Sequence, residues 1–242
     1  MRKGLLLAGL ALIAVAAIVL GLGMESQETI PYSVHEVPLE SEYGAAESGD
    51  REASAGENDG IDWDSLPESV VAWVQVPGTT IDYPVMQEDA DNPSYYLNHS
   101  MDGSYSAWGT PYIDADCALG TESPLVIVYG HHMSDGTMFA PLAQYSGKTF
   151  AEWHRTIRVF TREKTYDLRV FAVDVVDASA EGKRSDIADA AELNAYIGDK
   201  LSQCEVALEK PTNLTQAWAF VTCSYQTSNS RTVVYASDSA AN

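Results

Sequence analysis

A cysteine close to the end of the chain has surroundings that suit nucleophilic chemistry. Cys223 follows the apolar residues Trp218 and Phe220 and precedes a polar turn, residues 224–230. A nucleophile at the end of a strand is held by a rigid sheet and stays within reach of a substrate. The thiolate is the reactive form of cysteine, and a neighbouring cation favours it. On its own, Cys223 is more typical of a buried cysteine that packs as a small hydrophobic residue.

Two further residues at predicted strand ends change that balance. Arg231 follows Cys223 by eight positions, and a hairpin of that length can bring the two side by side. Arginine stays charged, so it can stabilise a thiolate or a developing oxyanion. His131 follows the run LVIVYG, and imidazole is a natural acid/base near neutral pH. Together the three residues predict a nucleophile, an acid/base and a cation on one rim of a sheet.

The elements that must position these residues are mostly short strands. The run LVIVY, residues 125–129, is apolar and β-branched throughout, which predicts a strand buried on both faces. Other apolar runs bounded by Gly, Pro or polar turns predict strands over 70–76, 81–86, 106–113, 156–161, 165–176, 218–223 and 232–236. This pattern predicts a mainly β fold, a barrel or a sandwich with helical additions.

Two helices are predicted between these strands. Residues 187–204 carry apolar side chains at helical spacing, and Ser185 or Asp186 is the predicted cap. The apolar face comprises Ala190, Leu193, Ile197, Leu201 and Cys204. A short helix is predicted where the folded domain begins, with Asp62 or Asp64 as its cap.

The remaining cysteines and histidines have less specific surroundings. With Cys117 and Cys204 the chain has three cysteines, and an odd number excludes a fully paired disulfide framework within one chain. His132, beside His131, is interpreted as a scaffold or rim residue, and Asp114 as a support for the arginine or for the barrel. The other histidines, His35, His99 and His154, are interpreted as structural.

The N-terminus has the composition of a membrane anchor. Met1-Arg2-Lys3 precede an uncharged apolar run, residues 4–24, and about 20 apolar residues suffice to cross a bilayer as a helix. The small residues Ala14-Val15-Ala16 lie in the middle of the run, which favours an uncleaved anchor over a cleaved signal peptide. The positive-inside rule then predicts a single-pass protein of the cell membrane, with residues 1–3 cytoplasmic and the rest extracellular.

The rest of the chain divides into an acidic linker and one folded domain. Residues 25–60 are rich in Glu, Ser, Gly and Ala, which predicts a flexible linker, and residues 61–238 form the predicted catalytic domain. The net charge of −21 makes nucleic acid a poor partner. The sequence has no GxxxxGK phosphate loop and no zinc-type cysteine pairing.

Longer segments of the chain resemble class B sortases. VIVYGHHMSDGTMF, residues 126–139, is similar to the histidine segment of that family, and AFVTCSYQTSNSRTVVYA, residues 219–236, is similar to its cysteine–arginine segment. The first half of the family is matched by IDWDSLPESVVAWV, VPGTTIDYPVMQ and SYYLNHSMDGSYSAWGTPYID, which together lie within residues 61–114. Because several motifs agree in order and spacing over residues 61–236, the resemblance is specific.

This resemblance implies a fold and a set of roles. The implied fold is a closed eight-stranded β-barrel with an N-terminal helix and a helix inserted before the cysteine strand. Cys223 is the implied nucleophile, His131 the acid/base and Arg231 the substrate clamp and oxyanion stabiliser, with no metal or organic cofactor. The implied substrate-binding residues are Thr222, Tyr129 and Ser224. Phe220 stands where the family usually has leucine, a departure that concerns the shape of the pocket and not the chemistry.

The implied reaction is transpeptidation through a thioester. Cys223 would cleave a C-terminal sorting motif of an exported protein, and an amine from a cell-wall precursor or a pilin would accept the acyl group. Class B sortases typically act on Asn-Pro motifs linked to haem uptake, and some build pili; the sequence does not choose between these. Two other classes stay open: a secreted cysteine peptidase that uses water, and a non-catalytic, membrane-anchored binding module on the same barrel.

Overall fold

The computed structural model describes residues 60–178, 186–224 and 229–238. The predicted cytoplasmic N-terminus, the anchor over residues 4–24 and nearly all of the predicted linker lie outside the described residues, as does Ser185. Within the described ranges, no helix is both long and apolar enough to cross a membrane.

Nine strands and two α-helices make up the described part of the chain, joined by short 3-10 turns. The strands are β1 Val70–Gln75, β2 Asp82–Gln87, β3 Tyr112–Ile113, β4 Leu125–Tyr129, β5 Thr156–Phe160, β6 Thr165–Asp177, β7 Val206–Ala207, β8 Ala217–Ser224 and β9 Ser230–Asp238. The α-helices are α1 Lys148–Trp153 and α2 Ala190–Gln203. The 3-10 turns are Trp63–Ser65, Tyr95–Leu97, Gly120–Glu122 and Ala140–Ser146.

Eight of the strands close into a barrel, as predicted. They are hydrogen-bonded in the order β5-β1-β2-β3-β4-β8-β9-β6, and pairing of β5 with β6 closes the ring, while the two-residue β7 adds to β6 from outside the ring. The length of β6 allows this closure, because Thr165–Arg169 pair with β5 and Leu168–Asp177 pair with β9. The β6–β9 register shifts between Val170 and Ala172, and such an irregularity bends a strand and strengthens its twist.

The parallel pair β4 and β8 carries the most apolar sequence of the barrel. The β4 residues Leu125 to Val128 are buried, and so are the β8 residues Ala217 to Thr222. The register places Ile127 beside Ala219 and Tyr129 beside Val221. Strands buried on both faces are continuous apolar runs, which explains why the sequence located both of them. Both strands end at the same rim because they run parallel.

The predicted helices are both present with altered limits. Helix α2 lies between β6 and the cysteine strand, as predicted, but its cap is Asp189, whose Oδ1 accepts a hydrogen bond of 2.9 Å from the Glu192 backbone N–H. Asp186 is therefore not the cap, because the helix begins one turn later than predicted. The N-terminal helix is a single 3-10 turn in the described part of the chain, with Asp62 at its cap position but without a side-chain capping bond.

Three other segments differ from the predicted elements. Only Tyr112–Ile113 of the predicted strand 106–113 is a strand, because Gly109 has a φ of +61° and Pro111 has no N–H to donate. The 3-10 turn Ala140–Ser146 and helix α1 were not predicted; they bury Leu142, Tyr145 and Ala151 against the barrel.

Candidate active site

Cys223 and Arg231 face each other across the hairpin of β8 and β9. The antiparallel register pairs Cys223 with Arg231, and side chains of directly opposed residues lie on the same face of a sheet. Both residues are partly exposed, whereas the next pair along, Thr222 and Thr232, is 1% and 0% exposed on the other face. The predicted adjacency of the nucleophile and the cation is thus present in the structure.

His131 reaches the same rim from the end of β4. Beyond the last β4–β8 pair, Tyr129 and Val221, the Gly130 N–H still donates to the Val221 carbonyl at 3.1 Å. His131 follows directly, and the next residue, His132, contacts the Cys223 carbonyl at 2.8 Å, so the segment after β4 runs beside Cys223. The fold therefore brings all three predicted catalytic residues to the ends of three adjacent strands, β4, β8 and β9.

The two neighbouring histidines contact different backbone carbonyls. His132 Nδ1 lies 2.8 Å from the carbonyl oxygen of Cys223, so it ties the loop after β4 to the cysteine strand. His131 Nε2 lies 2.6 Å from the carbonyl oxygen of Leu97. Because a carbonyl can only accept, each of these ring nitrogens carries the hydrogen. The contact of His132 agrees with the predicted scaffold role.

Two of the three predicted substrate-binding residues, Thr222 and Ser224, form hydrogen bonds within the protein. Thr222 Oγ1 donates to the carbonyl of Gly130 at 3.0 Å. Ser224 Oγ donates to Ser230 Oγ at 3.1 Å, and Ser230 Oγ donates to the Ser224 carbonyl at 2.8 Å. These hydroxyls join β8 to β4 and to β9, so they brace the rim. Their contact with a substrate stays a prediction.

Tyr129, which is half-buried, and Asp114, which is buried, interact beside β4. Burial raises the pKa of Tyr129 well above its usual value, and the neighbouring Asp114 carboxylate raises it further. Asp114 is 1% exposed, and its Oδ1 accepts a hydrogen bond from the Asp116 N–H at 2.9 Å. Of the two supports proposed for Asp114, these contacts fit the barrel, because the Asp114 N–H also donates to the Ile127 carbonyl at 2.9 Å, within β4.

The Leu97 carbonyl is the functional contact that the sequence did not reveal. Leu97 ends the 3-10 turn Tyr95–Leu97, within the long connection from β2 to β3. A backbone carbonyl belongs to every residue type, so no side-chain pattern identifies it. The only available signal was the position of the segment SYYLN within the resemblance to class B sortases.

The other two cysteines lie in different surroundings from Cys223. Cys117 is buried, its thiol donates to the Leu125 carbonyl and its sulfur accepts from the Ile127 N–H, both at 3.4 Å. Cys204 is partly buried at the end of α2, and burial raises the pKa of its thiol. None of the three forms a disulfide.

Among the residues that the structure describes, no cluster of three or more His, Cys, Asp or Glu has the arrangement of a metal site.

Comparison with known proteins agrees with the barrel fold. The family model of the sortase domain matches residues 74–239, and the chain belongs to the sortase family. Sortase B of Staphylococcus aureus is 30% identical over 109 residues, which cover 45% of this chain and 44% of the relative. Sortase B of Listeria monocytogenes is 34% identical over 112 residues, which cover 46% and 45%. The alignments thus span less than half the length of these curated relatives.

Solved structures of sortases B share the fold. The structure of Clostridium perfringens sortase B aligns with a TM-score of 0.62 and 24% sequence identity, covering 69% of this chain and 92% of that chain. The curated relatives and this structural neighbour are all sortases B, so the chain is similar to class B members of the family.

Proposed function

We propose that this chain is a cysteine transpeptidase that cleaves a C-terminal sorting motif of exported proteins and joins the acyl part to an amine. The single observation that carries the proposal is the rim on which Cys223 and Arg231 are paired in register and His131 follows the end of the adjoining strand β4 by two residues. Solved sortase B structures support the substrate classes, because one is a S. aureus sortase B–substrate complex and another is a sortase B complexed with triglycine.

In the first half-reaction, the Cys223 thiolate attacks the carbonyl carbon of the scissile peptide bond. The resulting oxyanion is stabilised by the Arg231 guanidinium, whose planar donors and permanent charge suit it to that role. His131 donates a proton to the leaving nitrogen, so the C–N bond breaks and the acyl group stays on Cys223 as a thioester. The fold aids this step because all three groups project from the ends of hydrogen-bonded strands.

In the second half-reaction, an amine attacks the thioester. His131 accepts the proton that the amine loses as the new amide bond forms, and the Cys223 thiolate leaves. One acid/base therefore serves both halves in opposite directions. The acceptor is an amine of a cell-wall precursor or of a pilin, and no metal or organic cofactor takes part in any step.

The cellular setting is the second part of the proposal. Residues 4–24 would anchor the chain in the cell membrane with the N-terminus inside, and residues 25–60 would tether the catalytic domain on the outer face. The uncharged run and the Arg2-Lys3 pair before it support this topology. Fractionation of cells tests it: deleting residues 4–24 should release the domain from the membrane fraction, and retention there would contradict the anchor.

The experiment that tests the reaction uses the purified full chain and peptides bearing Asn-Pro or Leu-Pro sorting motifs, with and without triglycine. Mass spectrometry should detect a triglycine-ligated product that is lost in Cys223→Ala and kept in the matched variant Cys204→Ala. Cleavage without ligation, whatever the amine, would indicate a peptidase. Absence of any reaction, with Cys223 also inert to iodoacetamide, would indicate a binding module.

A further inference from the structure

The hydrogen bond from His131 to the Leu97 carbonyl defines the state of the imidazole ring. Nε2 lies 2.6 Å from that oxygen and must carry the hydrogen, because a carbonyl oxygen has none to give. In a neutral imidazole only one nitrogen is protonated, so Nδ1 then has the lone pair. When the ring takes up a proton, Nδ1 receives it and the bond to Leu97 is kept. The contact thus selects which nitrogen exchanges protons.

The Leu97 carbonyl is held in place by the loop on either side of it. The Glu88 carboxylate, directly after β2, accepts hydrogen bonds from the N–H of Ser94 in the β2–β3 connection and from the N–H of Ala115 just beyond β3. Closer to Leu97, the Thr110 N–H donates to the Tyr96 carbonyl at 2.9 Å. These bonds fix the backbone next to Leu97 and leave its carbonyl directed at His131.

Gly109 is the residue that permits this close approach. Its backbone lies so near the turn Tyr95–Leu97 that a Cβ there would come within 2.4 Å of the Tyr96 oxygen and 2.7 Å of the Leu97 oxygen. Both distances are far below van der Waals contact, and both obstacles are backbone atoms that cannot rotate away. The φ of +61° at Gly109 also favours glycine. Any side chain at residue 109 must displace the carbonyl that His131 contacts.

We propose that Gly109 is a positioning residue for His131, which it serves by keeping the Leu97 carbonyl where it holds the ring protonated on Nε2, with Nδ1 as the acid/base atom. The proposal rests on the proposed function, since it assigns the proton transfers of both half-reactions to Nδ1. Gly109 itself touches neither the substrate nor the reacting atoms; it acts through Leu97.

The loop supplies a matched control for this proposal. Gly103 has a φ of +80°, so alanine is strained at residue 103 as it is at residue 109. A Cβ at Gly103 would meet only the Tyr95 hydroxyl, at an ordinary 3.5 Å. Gly109→Ala and Gly103→Ala therefore share the backbone penalty, and only Gly109→Ala collides with the Leu97 carbonyl.

The test combines ¹⁵N spectra of the histidine rings with steady-state kinetics on the full chain. Protonated and unprotonated ring nitrogens differ clearly in ¹⁵N chemical shift, and His131→Gln identifies the His131 signals. In the wild-type protein we expect the His131 ring to be protonated on Nε2. In Gly109→Ala we expect a mixture of rings protonated on Nε2 and on Nδ1. In ligation of an Asn-Pro peptide to triglycine, Gly109→Ala should lower kcat by roughly 10- to 100-fold with little change in KM. Gly103→Ala should retain both the spectrum and kcat.

Several outcomes would overturn the proposal. A wild-type ring protonated on Nδ1 would do so without any variant, as would a Gly109→Ala protein with the spectrum and kcat of Gly103→Ala. If Gly109→Ala does not fold, Glu88→Ala takes its place, because it removes the carboxylate that accepts from the Ser94 N–H in the loop of Leu97; an unchanged His131 spectrum would then count against the proposal. The spectra need no substrate, so failure of the wild-type chain to ligate any peptide would refute the proposed function separately.

Discussion

Two cations of this domain, Arg231 and Lys200, differ in how far their side chains are exposed to solvent. Arg231, at the rim, is partly exposed, and its hydrogen bonds to Asn229 Oδ1 and to the Ser230 carbonyl are both long, at 3.4 Å. Lys200, on α2, has a side chain only 9% exposed, and its Nζ lies 3.9 Å from Oδ2 of Asp174, which is equally buried. One charge is within reach of a substrate, and the other is enclosed by the protein.

The pKa values of the buried pair Lys200 and Asp174 show that burial disfavours both charges. Desolvation is the largest influence on both groups: it raises the pKa of Asp174 and lowers the pKa of Lys200, and their mutual attraction offsets it only in part. A buried pair of this kind contributes to structure and has no access to a ligand. A cation that is to contact a substrate must instead be accessible, as the partly exposed Arg231 is.

The largest effect should follow the loss of the acid/base at the rim. His131→Gln should lower kcat/KM for ligation of an Asn-Pro peptide to triglycine by roughly 10²- to 10⁴-fold, because glutamine can donate to the Leu97 carbonyl but cannot transfer protons. His132→Gln is the control, since glutamine can still donate to the Cys223 carbonyl that His132 contacts. A greater loss in His132→Gln than in His131→Gln would reassign the acid/base.

The next effect concerns the exposed cation. Arg231→Lys should lower kcat/KM by roughly 10²- to 10³-fold, because the ammonium keeps the charge but loses the planar set of donors for the oxyanion. Its urea midpoint should stay near that of the wild type. Arg158→Lys, in an exposed ion pair with Asp167 on the β5–β6 hairpin, should leave both quantities unchanged. An active Arg231→Lys protein would mean that charge alone suffices.

For Lys200, the buried cation, we expect substitution to lower stability and not activity. Lys200→Met should lower the free energy of unfolding by roughly 3–5 kcal/mol, because Asp174 then stays buried without its ammonium partner. The double variant Lys200→Met/Asp174→Leu should regain most of that loss, and kcat/KM should stay near the wild-type value in both if they fold. Urea unfolding measures the first quantity. A single variant as stable as the wild type would show that the pair is hydrated in solution.

The parts of the fold that the sequence predicted depend on local pattern. The limits of β4 agree with the prediction because an apolar run between Pro124 and Gly130 has few alternatives. The pairing of Cys223 with Arg231 followed from two strands joined by one short turn. The closed ring of eight strands was implied by the resemblance and not by local pattern, since the pairing of strands far apart in the sequence is set by the whole chain.

The parts that escaped prediction depend on tertiary contacts. The cap of α2 is Asp189 and not Asp186, and both are aspartates that any local rule accepts. The contact of His131 with Leu97 joins residues 34 positions apart through a backbone oxygen. Sequence patterns report which side chains suit a role, and they are silent about backbone atoms that any residue could provide.

The smallest expected effect distinguishes two roles of Thr222, which are bracing of the rim and binding of the substrate. Its hydroxyl donates to the Gly130 carbonyl, so Thr222→Val should cost about 1 kcal/mol of stability, because a buried acceptor loses its donor. Thr232, its cross-strand partner, is the matched control: in the described part of the chain its buried hydroxyl has no hydrogen-bond partner, and Thr232→Val should be neutral or stabilising. If Thr222 only braces the rim, urea unfolding will distinguish the two variants while KM stays the same in both. A rise in KM confined to Thr222→Val would instead support the predicted contact with the substrate.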